Sequence, residues 1–127
     1  MTRRIAILLL AMAAFGALAG AARPLKAAEL ILFERKYCPW CIRWNREIGI
    51  IYAKTEEGRA APLRRVDMDA PRPADLKAIR GLVYSPTFVL LDDAGREVGR
   101  IEGYQYEGAF WAALDALLEK MKRGQKP

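Results

Sequence analysis

The only two cysteines of the chain, Cys38 and Cys41, lie in KYCPWCIRW (36–44), with Pro39 and Trp40 between them. Such a pair can bind a metal, anchor haem, staple a loop or carry electrons. A structural zinc site takes about four ligands and a catalytic one about three. The chain has no histidine and no third cysteine, so a metal would need carboxylates or a second subunit. Covalent haem attachment needs histidine directly after the second cysteine, and Ile42 stands there. A purely structural disulfide around so short a loop would restrain the unfolded chain by only ~2 kcal/mol. Redox chemistry remains, and the surrounding residues supply a mechanism for it.

ELILFER (29–35) is an apolar run of β-formers that reads as a buried strand leading into Cys38. Pro39 suits the first position of a helix, where its missing N–H costs nothing. Cys41, Trp44, Ile48, Ile51 and Tyr52 then follow at helical spacing, with Gly49 a weak point. A strand would thus deliver Cys38 to a helix N-terminus, whose unpaired N–H groups and dipole stabilise a thiolate. The thiolate is the attacking form. Arg35, Lys36 and Arg43 either add positive field or are simply solvated. Cys41, one turn further in, would be shielded and would attack the mixed disulfide to release the partner. On this reading Cys38 is the nucleophile and Cys41 resolves.

The remaining elements must complete a small α/β domain. EEGRAAP (56–62) reads as a loop and LRRVDMD (63–69) as a second strand, with Arg64 and Arg65 a solvated edge pair. Pro71 and Pro73 follow, then two helical turns over 74–80 stopped by Gly81. SPTFVLLD (85–92) holds a third strand, DDAGRE a turn, and EVGRIE (97–102) the hairpin partner. Phe110, Leu114, Leu117, Leu118 and Met121 make the apolar stripe of a closing helix. The order β-α-β-α-β-β-α predicts a mixed four-stranded sheet with helices on both faces. The helical crossover makes the first two strands parallel.

The paired motifs Cys38-Pro39-Trp40-Cys41 and Ser85-Pro86-Thr87 resemble the thioredoxin superfamily, over essentially all of 29–121. The resemblance implies a minimal thioredoxin-like fold and a redox-active disulfide, Cys38–Cys41, with no other cofactor. It implies that the Ser85–Pro86 bond is cis, that Tyr84, Ser85, Pro86 and Thr87 line a substrate groove, and that Gly103 fits its far wall. LFERKYCPWCIRWNREIG, EEGRAAPLRRVDMD and SPTFVLLD are similar to small exported thioredoxin-like proteins found with sulfur-oxidation (Sox) genes, the SoxS type. That likeness implies a periplasmic reductant of cysteine-containing exported proteins, notably a sulfur-carrier protein, recharged by a membrane thiol-electron transporter. Two departures stand out. The usual first strand and helix are missing. The buried acid expected six positions before the first cysteine is Leu32 here, while Glu34 shares its face. Glu34 is either a proton-transfer group for Cys41 or a strand-end residue. Trp40 is expected to be exposed and to touch partners and Trp44 and Trp111 to pack, while Tyr104 and Tyr106, which follow Gly103, could rim the groove.

The N-terminus reads as an export signal over 1–27. Arg3 and Arg4 precede an uncharged run from Ile5 to Ala19, and small residues offer cleavage between 19 and 28. A retained membrane anchor is the alternative, although the run is short for a span. The remainder, a domain over 28–123 with a polar tail at 124–127, holds on the order of 100 residues, enough for one domain. Four of the 21 basic residues and none of the 15 acidic ones lie in 1–28. The formal charge of +6 therefore falls to +2, and no basic cluster interleaved with aromatics points to nucleic acid. Three functions stay open: a disulfide reductase, an oxidant or isomerase of the same fold, and a non-catalytic binding module.

Overall fold

The computed structural model describes residues 27–126. Apart from residue 27, the expected export signal lies outside that range. The sheet is built around β1, Glu29–Glu34, whose four central residues are fully buried. Both faces of β1 are covered, and an unbroken apolar run is the outcome. Leu30 and Leu32 enter one cluster, while Ile31 and Phe33 enter the other.

On one side β1 pairs in parallel with β2, Leu63–Asp67. On the other it pairs antiparallel with β3, Thr87–Leu91, which in turn pairs antiparallel with β4, Glu97–Glu102. The strand order is β2-β1-β3-β4, the mixed four-stranded sheet expected. A parallel pair needs a crossover. It is supplied by α1, Pro39–Trp44, a π-helical stretch Asn45–Gly49 and a 3-10 turn Tyr52–Lys54. The helix thus departs from α geometry just before the glycine singled out in the sequence.

Two local readings need correction. Residues 56–60, expected as loop, form α2, Glu56–Ala60. Thr55 caps it by accepting the Gly58 N–H at 3.0 Å, and Glu56 and Glu57 occupy the positive end of the helix. Glycine is required at 58 by close approach, since a Cβ there would sit 1.8 Å from the Tyr52 carbonyl oxygen. Over 74–80 the two expected helical turns shrink to one 3-10 turn, Ala74–Leu76. The residues packed on that face of the sheet, Leu76, Ile79 and Leu82, recur every third position. Beyond Leu76 the chain is a turn and then irregular, so Ile79 and Leu82 reach the sheet from outside any helix. Among the described residues this connection covers the second face. The arginine pair on edge strand β2 is not merely solvated either. Arg64 grips Asp75 at 2.6 and 3.0 Å, and Arg65 pairs with Glu34 at 2.9 Å.

The first face carries the larger core. The closing helix α3, Glu107–Gly124, buries Phe110, Leu114, Leu118 and Met121, with Leu117 half-buried beside them. Trp44, fully buried, lies at the centre, 5.0 Å from Phe88, 5.6 Å from Phe110 and 6.2 Å from Tyr52 between ring centroids. Trp111 stacks on Tyr52 at 6.2 Å. Both tryptophans pack, as expected. The Trp44 Nε1 is buried without a hydrogen-bond partner among the described residues. Urea unfolding should therefore show Trp44→Ala losing about 3–5 kcal/mol. Trp44→Phe, which removes an unpaired donor along with the volume, should lose less than half as much. Equal losses would mean that ring volume is not what holds this core.

Candidate functional site

After β1, residues 35–37 turn the chain, and Tyr37 is held at φ 60°, a left-handed conformation that strains a side-chain-bearing residue. Cys38 follows with extended backbone as the N-cap of α1, and Pro39 opens the helix. The Cys41 N–H donates to the Cys38 sulfur at 3.2 Å. Cys38 reaches the surface at its edge, and Cys41 lies behind it, 3% exposed. Both are free thiols.

The loop before β3 closes over the pair. The Ser85–Pro86 bond is cis. The Cys38 thiol donates to the Ser85 carbonyl at 3.3 Å, and the Cys41 sulfur lies 3.1 Å from the Ser85 hydroxyl. That hydroxyl accepts the Arg35 N–H at 3.2 Å. Burial pushes the Cys38 thiol up. Hydrogen bonds from the Cys41 and Ser85 side chains and the N–H groups of Cys41 and Trp40 outweigh burial, so the net displacement is downward. Burial, reinforced by the neighbouring Cys38 sulfur, pushes Cys41 up to about 11. The two thiols are thus driven apart in acidity.

Beside them runs a groove of about 390 Å³, lined among others by Trp40, Arg43, Tyr84, Ser85, Gly103 and Tyr104. Trp40 and Tyr84 are more than half exposed. Gly103, at φ 79°, donates its N–H to the Pro86 carbonyl at 2.7 Å and ties the far wall to the loop. Arg43 donates to Glu47 at 2.9 Å, and Glu47 accepts the Tyr104 hydroxyl from across the groove. Those hydrogen bonds hold the Glu47 carboxyl below the usual carboxylate range.

No family model matches the sequence, and no curated protein matches it. Among solved structures, the periplasmic thioredoxin SoxS from Paracoccus pantotrophus in its reduced form is 41% identical. The alignment covers 73% of this chain and 97% of that one, with a TM-score of 0.67. The chain is a SoxS-like member of the thioredoxin superfamily. Thioredoxins from Fasciola hepatica (24% identity, TM-score 0.55, 71% and 80% covered) and Thermus thermophilus (22%, 0.56, 79% and 80%) share its fold. The chemistry that fold and dithiol carry is thiol–disulfide exchange.

In this thioredoxin-like chain the structure gathers Cys38, Cys41, Trp40, Tyr84, Ser85 and the cis Pro86 into one site. Pro86 is buried within the loop and, unlike Tyr84 and Ser85, does not line the groove. Thr87 is buried too, and its hydroxyl donates to the Tyr84 carbonyl at 2.7 Å. It holds the groove loop from below and does not line the groove. Glu34 is half-buried, accepting from Arg65 at 2.9 Å and Asn45 at 3.1 Å, and it makes no hydrogen bond to Cys41 among the described residues. Two of the three flanking cations are paired, Arg35 with Asp69 at 3.2 Å and Arg43 with Glu47. Tyr104 forms a groove wall, while Tyr106 is exposed and does not line the groove. Glu47 went unnoticed in the sequence, although its i, i+4 spacing from Arg43 was visible. The strained Tyr37 left no sequence signal. Among the described residues no group of three or more Cys, Asp or Glu could hold a metal ion.

Only thiolate reacts with iodoacetamide, so each cysteine's rate should fall as pH drops through its own pKa. Peptide mapping should show Cys38 alkylating with a midpoint below the ordinary thiol value, and Cys41 staying inert until pH approaches about 11. Equal rates for the two at neutral pH would contradict this assignment of roles.

Proposed function

We propose that this chain is a periplasmic disulfide reductase acting on cysteine-containing exported proteins, such as a sulfur-carrier protein of the Sox system. The observation that carries the reading is the asymmetry of the two thiols, Cys38 with lowered pKa and 9% exposed, Cys41 with raised pKa and 3% exposed. Further support comes from the 41% identity to a protein described as a periplasmic thioredoxin, and from the basic, apolar and small-residue order of the first 28 residues. In the cycle, the Cys38 thiolate attacks the partner disulfide. One partner sulfur leaves as thiolate, and the other is bound to Cys38. Cys41 then loses its proton, attacks Cys38 and expels the second partner sulfur, which takes up a proton. The partner gains two electrons, and Cys38–Cys41 is left as the disulfide. A membrane thiol-electron transporter would return the chain to the dithiol, and no cofactor beyond the cysteine pair takes part.

Trp40 and Tyr84, both lining the groove, offer the partner exposed aromatic contact. The groove would accept an extended segment around the partner cysteine.

Equilibration with a dithiol buffer tests the direction of electron flow. A reduction potential at or below about −240 mV is expected, close to the range of thioredoxin. A value near about −120 mV, where strong oxidants lie, would reverse the proposed flow and make the chain an oxidant. Cys38→Ser should abolish reduction of a protein disulfide, and Cys41→Ser should trap the mixed disulfide. Partner activity surviving loss of both cysteines would instead identify a binding module.

A further inference from the structure

Resolution demands that Cys41 become a nucleophile, and its surroundings oppose this. The sulfur is buried, and its ionisation is displaced upward. A carboxylate could take the proton, but those on the neighbouring elements are engaged elsewhere. On β1, Glu34 is held by Arg65 of β2 and by Asn45. Glu47 is held by Arg43 and Tyr104. Neither hydrogen-bonds Cys41 among the described residues. Leu32, on the same face of β1, carries no proton at all.

One side chain other than Cys38 hydrogen-bonds the Cys41 sulfur among the described residues. It is Ser85, with Oγ 3.1 Å away. Its oxygen accepts the Arg35 N–H at 3.2 Å, and once Cys41 has lost its proton only the Ser85 O–H can be the donor between the two. Accepting one hydrogen bond polarises the hydroxyl and strengthens the one it donates. The Ser85 carbonyl meanwhile touches the Cys38 sulfur at 3.3 Å, so one residue addresses both atoms of the bond that must form.

We propose that the Ser85 hydroxyl is a catalytic group of the resolving step, donating a hydrogen bond to the Cys41 sulfur as that sulfur gives up its proton and attacks Cys38. The idea rests on the redox reading above. The Cys41–Cys38 S–S bond forms and the Cys38–partner S–S bond breaks. The departing partner thiolate takes a proton equivalent to the one Cys41 lost. Ser85 keeps its own proton throughout and stabilises only the transient charge.

A chromogenic aryl disulfide separates the two steps in stopped flow, because attack by Cys38 releases one aryl thiolate and resolution by Cys41 releases a second. In Ser85→Ala the ratio of the second rate to the first should fall about ten- to a hundredfold, the worth of one hydrogen bond to a charged atom. Ser85→Thr, which keeps the hydroxyl, should restore the ratio to within about threefold of the wild type. Circular dichroism checks that both variants are folded. An unchanged ratio in Ser85→Ala, or failure of folded Ser85→Thr to restore it, would overturn the role of the hydroxyl while leaving the reductase reading intact. Absence of any release by the wild-type dithiol would instead remove the reductase reading itself.

Discussion

The hydrogen bond from the Cys41 N–H to the Cys38 sulfur is the contact on which the site depends. It makes a thiol do the work usually done by a serine or aspartate at a helix N-cap. An N-cap must have extended backbone, and Cys38 has it at φ −76°, ψ 113°. Pro39 enforces that geometry, because the residue before a proline is driven out of the α region. The same proline needs no hydrogen-bond partner at the first helical position. Two adjacent residues therefore aim the sulfur at the N–H groups of the helix start.

Those groups act in an environment where full charges are largely neutralised in pairs. Arg35 is matched by Asp69, Arg43 by Glu47 and Arg65 by Glu34. Fixed dipoles at hydrogen-bond distance are screened far less by salt than exposed ions are. The acidity of Cys38 accordingly depends on the Cys41 and Ser85 side chains together with the N–H groups of the helix start, and that arrangement is only as firm as the packing behind it.

The packing comes from the other side of the same helical segment. Trp44, Ile48 and Tyr52 anchor it to the sheet, and Trp44 meets Phe88 only two residues beyond the cis Pro86. One aromatic contact thus joins the element that carries the cysteines to the strand that carries the Ser85 loop. Thr87 and Gly103 complete the brace, from below and from the far wall. Positions that look like ordinary core in this chain therefore set the distance between sulfur and hydroxyl.

Much of this was legible in the residues themselves. β1, β2, β3, β4 and α3 are local patterns, unbroken or alternating apolar runs and a helical stripe bounded by turn residues, and the order of nucleophile and resolver follows from which cysteine precedes the helix. Harder to read were elements set by distant partners. The 74–80 segment has helical composition, yet only Ala74–Leu76 forms a 3-10 turn, and irregular chain beyond it lays Ile79 and Leu82 beside Leu76 on the second face of the sheet. Residues 56–60 became helix because Thr55 caps them and Gly58 can lie against the Tyr52 carbonyl. The sequence by itself determined that Cys38 and Cys41 lie one helical turn apart, and the lack of any histidine or third cysteine turned that spacing toward redox chemistry. Only the tertiary structure decided what surrounds that pair: it set Ser85 against both sulfurs, turned Glu34 toward Arg65 and Glu47 toward Tyr104. Hydrogen bonds between residues 44 to 57 positions apart are products of the whole fold, and no local pattern encodes them.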